Sequence, residues 1–239
     1  MIERHLQRLR ARDDIDAAEE AAIRASVSEI RLAPAGSVIV AAGAPVDQCV
    51  MLLTGVVARQ KDLPDGRRQI TELHVPGDFT DLHSFSLKRL DHDVVALTPC
   101  SIALVPHIRI RRLTEQHPHI ARVYWFLTNL DAAIHREWEV SLGRRSALER
   151  AAHLFCELQV RLQLVGLADR TGYALPITQI VLAECLGLTT VHINRTLKQL
   201  RDDGLLEFSR GRVSLHDLQA LRDAAGFDPA YLYLEKRPR

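Results

Sequence analysis

The sequence predicts an α+β protein with an N-terminal β jelly roll, a long central helix and a helical C-terminal domain. Residues 27–106 alternate short apolar runs with turn residues, which is typical of an all-β sandwich or roll. After Pro118 the apolar residues recur at helical spacing, which predicts a long helix. Around Gly187 two short helical patterns meet at a tight turn.

The composition excludes several classes of protein. The 239 residues carry a net charge of +1, so any signal for a nucleic-acid partner must be local. The first residues, MIERHLQRLRARDD, lack the apolar core of a signal peptide, and no apolar run approaches the ~20 residues of a membrane span. We therefore expect a cytoplasmic protein without membrane contact. The cysteines show no metal-ligand spacing and are predicted to be buried free thiols: Cys49, Cys100, Cys156 and Cys185.

The jelly roll is predicted from seven runs rich in Val, Ile and Leu. Turn residues separate them; in LPDGRR (63–68) proline sets one backbone angle and glycine supplies a positive one. A helical pattern over residues 5–26 precedes the runs. The runs are EIRL (29–32), SVIVA (37–41), CVMLL (49–53), GVVAR (55–59), QITELHV (69–75), DVVAL (93–97) and CSIALV (100–105).

Residues 107–142 return to a helical pattern, with a short helix from His107 to Gln116 and a long one after Pro118. Gly143 interrupts the pattern and is interpreted as a hinge. The apolar residues of the long helix have the spacing of a seam between two helices. The alternative is that the helix packs on its own β-domain, and its length allows both uses. The predicted seam residues are Ile120, Val123, Leu127, Leu130, Ile134 and Trp138.

The C-terminal segment predicts a helix over 146–165, a loop, and two short helices at 178–186 and 189–203. The short helices meet at Gly187, since glycine permits a backbone conformation that other residues resist. Ala183 is small where the second helix would cross the first. Two helices joined in this way form a helix-turn-helix, whose second helix places its N-terminal residues in the major groove of DNA.

The second of these helices has two chemically different arcs. Its aliphatic residues must pack on a neighbour, so the opposite arc is presented outward. Arg195 can bond guanine O6 and N7 together, Asn194 can pair with adenine or a phosphate, and Val191 can contact a thymine methyl. A hairpin turn at Arg210-Gly211 adds a second basic contact, a wing. The predicted DNA-binding residues are Thr189, Thr190, Val191, His192, Asn194, Arg195, Lys198, Arg210 and Arg212.

With these motifs the chain resembles the Crp/Fnr family of bacterial transcription regulators over nearly its whole length. Residues 146–225 resemble the winged-helix domain of that family. The β-rich segment resembles its cyclic-nucleotide-binding-type jelly roll, because PGDF (76–79) stands at the family's GD motif and turn glycines stand at Gly36, Gly43 and Gly55.

The resemblance implies a homodimer that binds a palindromic operator in double-stranded DNA, with half-sites ~34 Å apart. It also implies RNA polymerase as a partner. The long helix occupies the family's dimerisation position, so the seam residues become the expected dimer interface. The implied domains are a sensor at 1–117, a dimerisation helix at 118–143 and a winged helix-turn-helix at 144–239.

Two departures from the family pattern affect the operator and the cofactor. Relatives often carry glutamate where this chain has Val191, while Arg195 stands at the base-reading arginine. We therefore expect the half-site to differ at the base that glutamate would read. No cysteine precedes Cys49, so the family's N-terminal iron–sulfur motif is absent.

A third departure concerns cyclic AMP. Relatives that bind it hold the phosphate with a Gly-Glu pair after the GD motif and an Arg-Ser or Arg-Thr pair at the next strand. Here TDL (80–82) and LD (90–91) occupy these places, so the buried anion would lack its arginine and we expect no response. The roll is then a structural scaffold, or it senses a different molecule through His83, Arg89 and His92.

The other reactive residues form no recognisable catalytic or metal-binding set. His117 and His119 flank Pro118 and do not share a helical face, so no metal or other cofactor is predicted, with haem bound by a histidine as an alternative. Cys185 is a candidate for oxidation, with buried packing as its alternative. No residue pattern indicates an enzyme. The competing function is a ligand or redox sensor that acts mainly through a protein partner.

Overall fold

The computed structural model describes residues 1–239, which form two compact units. No helix is both long and apolar enough to span a lipid bilayer. The first unit comprises Met1–Gln60, Leu73–Ala132 and Tyr233–Arg239, and the second comprises Lys61–Glu72 and Ala133–Leu232.

All seven predicted strands of the roll are present. They are β1 (Glu29–Ala33), β2 (Val38–Val40), β3 (Gln48–Thr54), β4 (Val57–Asp62), β5 (Arg68–His74), β6 (Asp93–Ala96) and β7 (Cys100–Pro106). One sheet has the order β1-β7-β3, and the other has the order β2-β6-β4-β5. Because β7 pairs antiparallel with both β1 and β3, strands that are distant in sequence lie side by side, and the sheets form the predicted jelly roll.

Strand β3 is buried on both faces, which explains its unbroken apolar run. Val50 and Leu52 point into the cluster between the sheets. Met51 points into a second cluster, where helices cover the outer face of the sheet. Side chains alternate across a strand, so a strand covered on both sides needs apolar residues at every position.

The N-terminal helical pattern divides into two helices, α1 (Glu3–Arg10) and α2 (Ala17–Ser26), which corrects the single pattern over 5–26. The Asp16 carboxylate accepts a hydrogen bond from the Glu19 N–H, and the Glu19 carboxylate accepts one from the Asp16 N–H. This capping box fixes a new helix start inside the apolar pattern.

A short helix, α3 (Ser84–Leu87), lies between β5 and β6, and two helices follow the last strand of the roll: α4 (His107–Gln116) and α5 (Pro118–Arg144). Gly143 lies inside α5, so the expected hinge at this glycine is wrong. Glycine costs a helix about 1 kcal/mol relative to alanine, which one position near the end tolerates. The next helix starts at Ser146, whose side chain caps it in a second capping box with Glu149.

The second unit combines helices with a three-stranded sheet of order β8-β10-β9. The sequence did not predict β8, α9 or the final 3-10 turn. The elements are α6 (Ala147–Gln163), β8 (Gly172–Ala174), α7 (Gln179–Leu186), α8 (Thr190–Asp202), β9 (Leu206–Ser209), β10 (Arg212–Leu215), α9 (Leu218–Ala225) and the 3-10 turn Pro229–Leu232.

A buried carboxylate joins three elements of the second unit. Glu157 of α6 is 0% exposed and accepts hydrogen bonds from Trp138 Nε1 at 3.2 Å, Arg161 NH1 at 2.8 Å and the Tyr231 hydroxyl at 2.9 Å. A buried carboxylate is stable only when paired and hydrogen-bonded, so these donors keep Glu157 inside the core.

Residues 233–239 pack against the N-terminal part of the first unit. The Arg239 guanidinium lies 3.5 Å from the centroid of the Phe126 ring and donates to the Asp13 carboxylate at 3.3 Å and to the Arg12 carbonyl at 3.1 Å. The first unit therefore includes residues from both ends of the sequence.

Candidate nucleic-acid interface

The predicted helix-turn-helix is present, with the expected turn chemistry. Gly187 has φ +62°, in the left-handed region that favours glycine, and the Leu188 N–H donates to the Ala183 carbonyl at 3.0 Å. The Thr189 hydroxyl then accepts from the His192 N–H at 3.2 Å and caps α8. The turn ends one helix and starts the next within three residues.

Helix α8 buries one arc and exposes the other, as predicted. Ile193, Leu197 and Leu200 are buried in the second unit. Val191 is 70% exposed although its side chain is apolar. The outward arc consists of Thr190, Val191, His192, Asn194, Arg195 and Lys198, all exposed.

The basic side chains of this arc have no counter-ion within the chain. No salt bridge involves Arg195 or Lys198, whereas Arg201, at the end of the helix, lies 3.7 Å from Asp202. An exposed cation without a partner can bind a phosphate or a base edge without breaking an internal contact. The N–H groups at the start of α8 add a further preference for anions.

The wing presents two more guanidinium groups. In the β9–β10 hairpin Ser209 pairs with Arg212, and the two turn residues Arg210 and Gly211 have φ of +50° and +72°. Both angles are those of a type I′ turn, which suits glycine and costs a residue with a Cβ about 1 kcal/mol. Arg210 and Arg212 are exposed at and beside this tip.

Two side chains outside the motif hold the end of α7. Arg150 NH1 of α6 donates to the Leu186 carbonyl at 3.0 Å, and Gln69 Nε2 of β5 donates to the Glu184 carbonyl at 2.8 Å. These bonds satisfy carbonyls that a helix end leaves unpaired. Sequence reasoning missed both residues, because a glutamine in a strand and an arginine in a helix carry no signal of their distant partners.

The cysteines are buried and free, as predicted. Cys185 of α7 is 2% exposed, and burial raises the pKa of its thiol. The thiolate is the form that oxidants attack, so burial disfavours the reaction at this position.

The predicted seam of α5 faces the interior of the chain, which corrects the expected dimer interface. Ile120 and Val123 lie in the cluster beneath the roll, and half-buried Leu127 packs against it. A helix that packs on its own domain has its strongest apolar stripe on that inner face. Five of the six predicted residues are at most 7% exposed, and they are Ile120, Val123, Leu130, Ile134 and Trp138.

The exposed side chains of α5 form a second stripe along the helix, beside the predicted seam. Trp125 is 71% exposed and Val140 is 47% exposed, which is unusual for such large apolar side chains. Between them the exposed residues continue at helical spacing. The outward stripe consists of Arg122, Trp125, Asn129, Ala132, Arg136 and Val140.

The predicted effector residues do not form one group. The rings of His83 and His92 are 5.5 Å apart in the first unit. Arg89 is exposed, and its NH1 donates to the carbonyl of Gly43 at 2.7 Å. Only the two histidines are therefore brought together by a direct contact.

Two residues that sequence reasoning missed complete the surroundings of these histidines. Arg59 of β4 is 2% exposed, and its NH1 donates to the Asp131 carboxylate of α5 at 2.8 Å. His83 Nδ1 lies 3.4 Å from Arg59 NH2. An arginine inside the apolar run GVVAR was the available signal. We name Arg59, His83, His92 and Asp131 the Arg59 corner.

The exposed basic arc of α8 and the arginine-tipped wing define a winged-helix DNA-binding protein, and its combination with an N-terminal jelly roll is the architecture of a class of transcription regulators. Residues 30–117 match the cyclic nucleotide-binding domain family, and residues 149–224 match the Crp-like helix-turn-helix domain family. The chain belongs to the Crp/Fnr family of transcription regulators, whose members bind DNA through this helix-turn-helix and act as dimers.

Individual relatives agree with this assignment. The nitrogen fixation regulation protein FixK of Bradyrhizobium diazoefficiens is 34% identical over 168 residues, 70% of this chain and 69% of that protein. The transcriptional activator protein FnrL of Cereibacter sphaeroides is 29% identical over 216 residues, 88% of this chain and 86% of that protein. The structure of FixK2 from Bradyrhizobium japonicum has a TM-score of 0.77 and 28% identity, covering 84% of this chain and 99% of that one.

Proposed function

We propose that the protein is a homodimeric regulator that binds a palindromic operator, with one α8 helix in the major groove of each half-site. The observation that carries this proposal is the exposed arc of α8, whose basic side chains have no partner within the chain. The opposite arc is fixed by burial, so the helix presents the polar arc in a single orientation.

Each residue of the arc has a role set by its chemistry. Arg195 reads guanine through O6 and N7, Asn194 bonds adenine or a phosphate, and Val191 contacts a thymine methyl. The N-terminal turn of α8 and the wing position the helix through backbone phosphates. The phosphate-contacting residues are Thr189, Thr190, His192, Lys198, Arg210 and Arg212.

Val191 sets this operator apart from those of relatives that carry glutamate at this position. A carboxylate accepts a hydrogen bond from cytosine N4, and an isopropyl group cannot. The half-site therefore has no cytosine preference at the base opposite Val191. Val191→Glu introduces that preference, and sequence selection with the variant protein measures it.

The dimer contact involves the outward stripe of α5. Trp125→Glu places two like charges in the contact and lowers the dimer mass in light scattering, because neither charge has a partner there. Leu127→Glu is the matched change on the inner face. It lowers the unfolding midpoint instead, since Leu127 packs on the first unit's own cluster. If Trp125→Glu remains dimeric, the contact is elsewhere.

Cyclic AMP does not control the protein. Leu90 is in the core of the roll, and the Asp91 side chain is 76% exposed beside His92, so neither offers a donor to a phosphate. Asp81, after the GD motif, is fully buried and accepts from the Val50 N–H at 2.6 Å. Titration of cyclic AMP by calorimetry should show no binding, and micromolar binding that tightened the DNA complex would contradict this conclusion.

Sequence selection from random duplex DNA tests the central proposal. We expect the wild-type protein to enrich a two-fold motif with a guanine in each half-site and with the half-sites about one DNA turn apart. Enrichment of no motif, or of a single half-site, contradicts the proposal. The expected modules are a regulatory roll at 1–117, a dimerisation helix at 118–143 and a DNA-binding domain at 144–239.

The effect on transcription is proposed from the relatives. FnrL is named a transcriptional activator, and we infer that this chain activates RNA polymerase in the cytoplasm at its own operator. Transcription in vitro from a promoter with the selected operator measures this. Repression or no change at that promoter overturns the inference and leaves the DNA-binding proposal intact.

A further inference from the structure

Arg59 is a buried cation that pairs with a carboxylate of α5. It lies on β4 between the buried residues Ala58 and Gln60, and only 3% of its side chain is exposed. A guanidinium that has lost its water must find an anion and hydrogen-bond acceptors inside the fold. The identity of that anion therefore indicates which ligand the Arg59 position binds.

The acceptors of Arg59 come from the GD loop and from the long helix. Its Nε donates to the Thr80 carbonyl at 2.7 Å, which fixes the plane of the guanidinium. Its NH1 donates to the Asp131 carboxylate at 2.8 Å. The backbone contact orients the arginine, and the carboxylate of α5 neutralises it.

Carboxylates also lie beside the two histidines of the Arg59 corner. The His83 Nδ1 lies 3.4 Å from Arg59 NH2 and 4.0 Å from the Asp131 carboxylate. His92 is held by the exposed Asp91 at 2.9 Å. Asp81, whose pKa burial raises to about 7, is a second acidic group close enough to Arg59 to interact with it electrostatically. An incoming phosphate would meet carboxylates at the position where it needs cations.

We propose that Arg59 forms an anion-binding site whose ligand is the Asp131 carboxylate of the same chain, so that α5 is held on the roll without any small-molecule effector. The proposal rests on the proposed DNA-binding function and chooses between the two interpretations of the roll. The anion that Arg59 binds is a side chain of α5 itself. The contact therefore stabilises the position of α5 on the roll in the way that a bound effector would.

Removal of the internal ligand should turn the corner into a site for a small carboxylate. The Asp131 side chain is 21% exposed and that of His83 is 16% exposed, so small ions can reach the space that Asp131→Ala leaves. Sodium formate is the probe, with sodium chloride at equal ionic strength as the control. Formate has the charge and planar geometry of the lost carboxylate and can accept both donors of a guanidinium.

Three measurements are made on the full chain: formate binding by calorimetry, the unfolding temperature, and affinity for the selected operator. We expect Asp131→Ala to lower operator affinity about tenfold, because fewer molecules hold α5 in the binding-competent position. Formate should bind the variant, raise its unfolding temperature and restore operator affinity in a dose-dependent way. The wild-type protein should not respond to formate.

Asp62→Ala is the matched control, because Asp62 pairs with Arg68 at 3.1 Å on the exposed surface. It should leave operator affinity unchanged with or without formate. Asp131→Asn fills the same space without a charge, so it should weaken operator binding without rescue by formate. It also provides the test if Asp131→Ala does not fold.

Two results overturn the inference. In one, Asp131→Ala and Asp131→Asn bind the operator as the wild-type protein does, which shows that the pair holds nothing that DNA binding needs. In the other, formate neither binds nor rescues Asp131→Ala, which shows that Arg59 offers no anion site. Failure of the wild-type protein to select an operator is a different result and contradicts the proposed function instead.

Discussion

The basic side chains of α8 differ from the buried arginine of the roll, Arg59, in solvent exposure and in salt-bridge pairing. Arg195 and Lys198 are exposed and have no salt-bridge partner, whereas Arg59 is 2% exposed and paired with Asp131 at 2.8 Å. An exposed charge keeps its water until a ligand replaces it, and a buried charge has already exchanged its water for a counter-ion. Exposed cations such as Arg195 are available to bind a partner molecule, whereas a buried cation such as Arg59 stabilises the fold.

The largest expected effect comes from the buried arginine. Arg59→Ala removes the guanidinium that pairs with the Asp131 carboxylate and should lower the free energy of unfolding by about 3 kcal/mol. Urea denaturation followed by circular dichroism measures this. Arg68→Ala, which breaks the exposed pair with Asp62, should change it by less than about 1 kcal/mol. Equal losses in both variants would remove the contrast between buried and exposed pairs.

The same substitution on α8 should leave the fold intact and weaken DNA binding. Arg195→Ala should cost about 1–3 kcal/mol on the selected operator and abolish base preference at one position of each half-site. Its unfolding free energy should stay within about 0.5 kcal/mol of the wild-type value, since no internal contact is lost. A uniform loss of affinity for all sequences would make Arg195 a phosphate contact.

The buried acid of the roll should make its stability depend on pH. Burial raises the pKa of Asp81 from its ordinary 3.8 to about 7. Between these values the folded state holds a proton that the unfolded state has lost, so stability falls as pH rises from about 4 to about 7 and is then constant. The amide in Asp81→Asn does not titrate in this range, so this position no longer makes stability depend on pH.

The stability of Asp81→Asn relative to the wild-type protein should therefore rise across this pH range, by about 1–3 kcal/mol. Urea unfolding at pH 5 and pH 8 measures the difference. Parallel pH profiles for the two proteins would show that Asp81 ionises normally in the fold.

The smallest expected effect is that of the second exposed cation. Lys198→Ala should weaken binding to all sequences alike and reduce the slope of log affinity against log salt by about one unit. Fluorescence anisotropy at several salt concentrations measures the slope. A changed base preference in this variant would assign Lys198 to base reading and remove the distinction from Arg195.

The DNA-binding unit was the easier region to predict, because its signals are local. The glycine, the cap and the two arcs of α8 lie within one short stretch, and each has a direct physical meaning. Strand β8 was missed, since its three residues show no alternation. The pairing of Arg59 with Asp131 was missed because the two residues are 72 positions apart in sequence, and only the folded chain brings them together.

The seam of α5 shows a different limit. Its apolar spacing was recognised correctly, but the spacing does not identify the surface that covers it. The roll and α6 cover most of that stripe within the chain. The periodic pattern therefore led to the prediction of a second subunit where the chain packs on itself.

The contact of Arg239 with Asp13 and Phe126 has a consequence for synthesis. The ribosome makes residues 233–239 after every other part of the first unit, and the whole winged helix lies between them in sequence. The strands of the roll are made before that point, but the first unit lacks the contacts of Arg239 while the DNA-binding residues are still being added. These C-terminal contacts therefore form only in chains whose winged helix has already been synthesised.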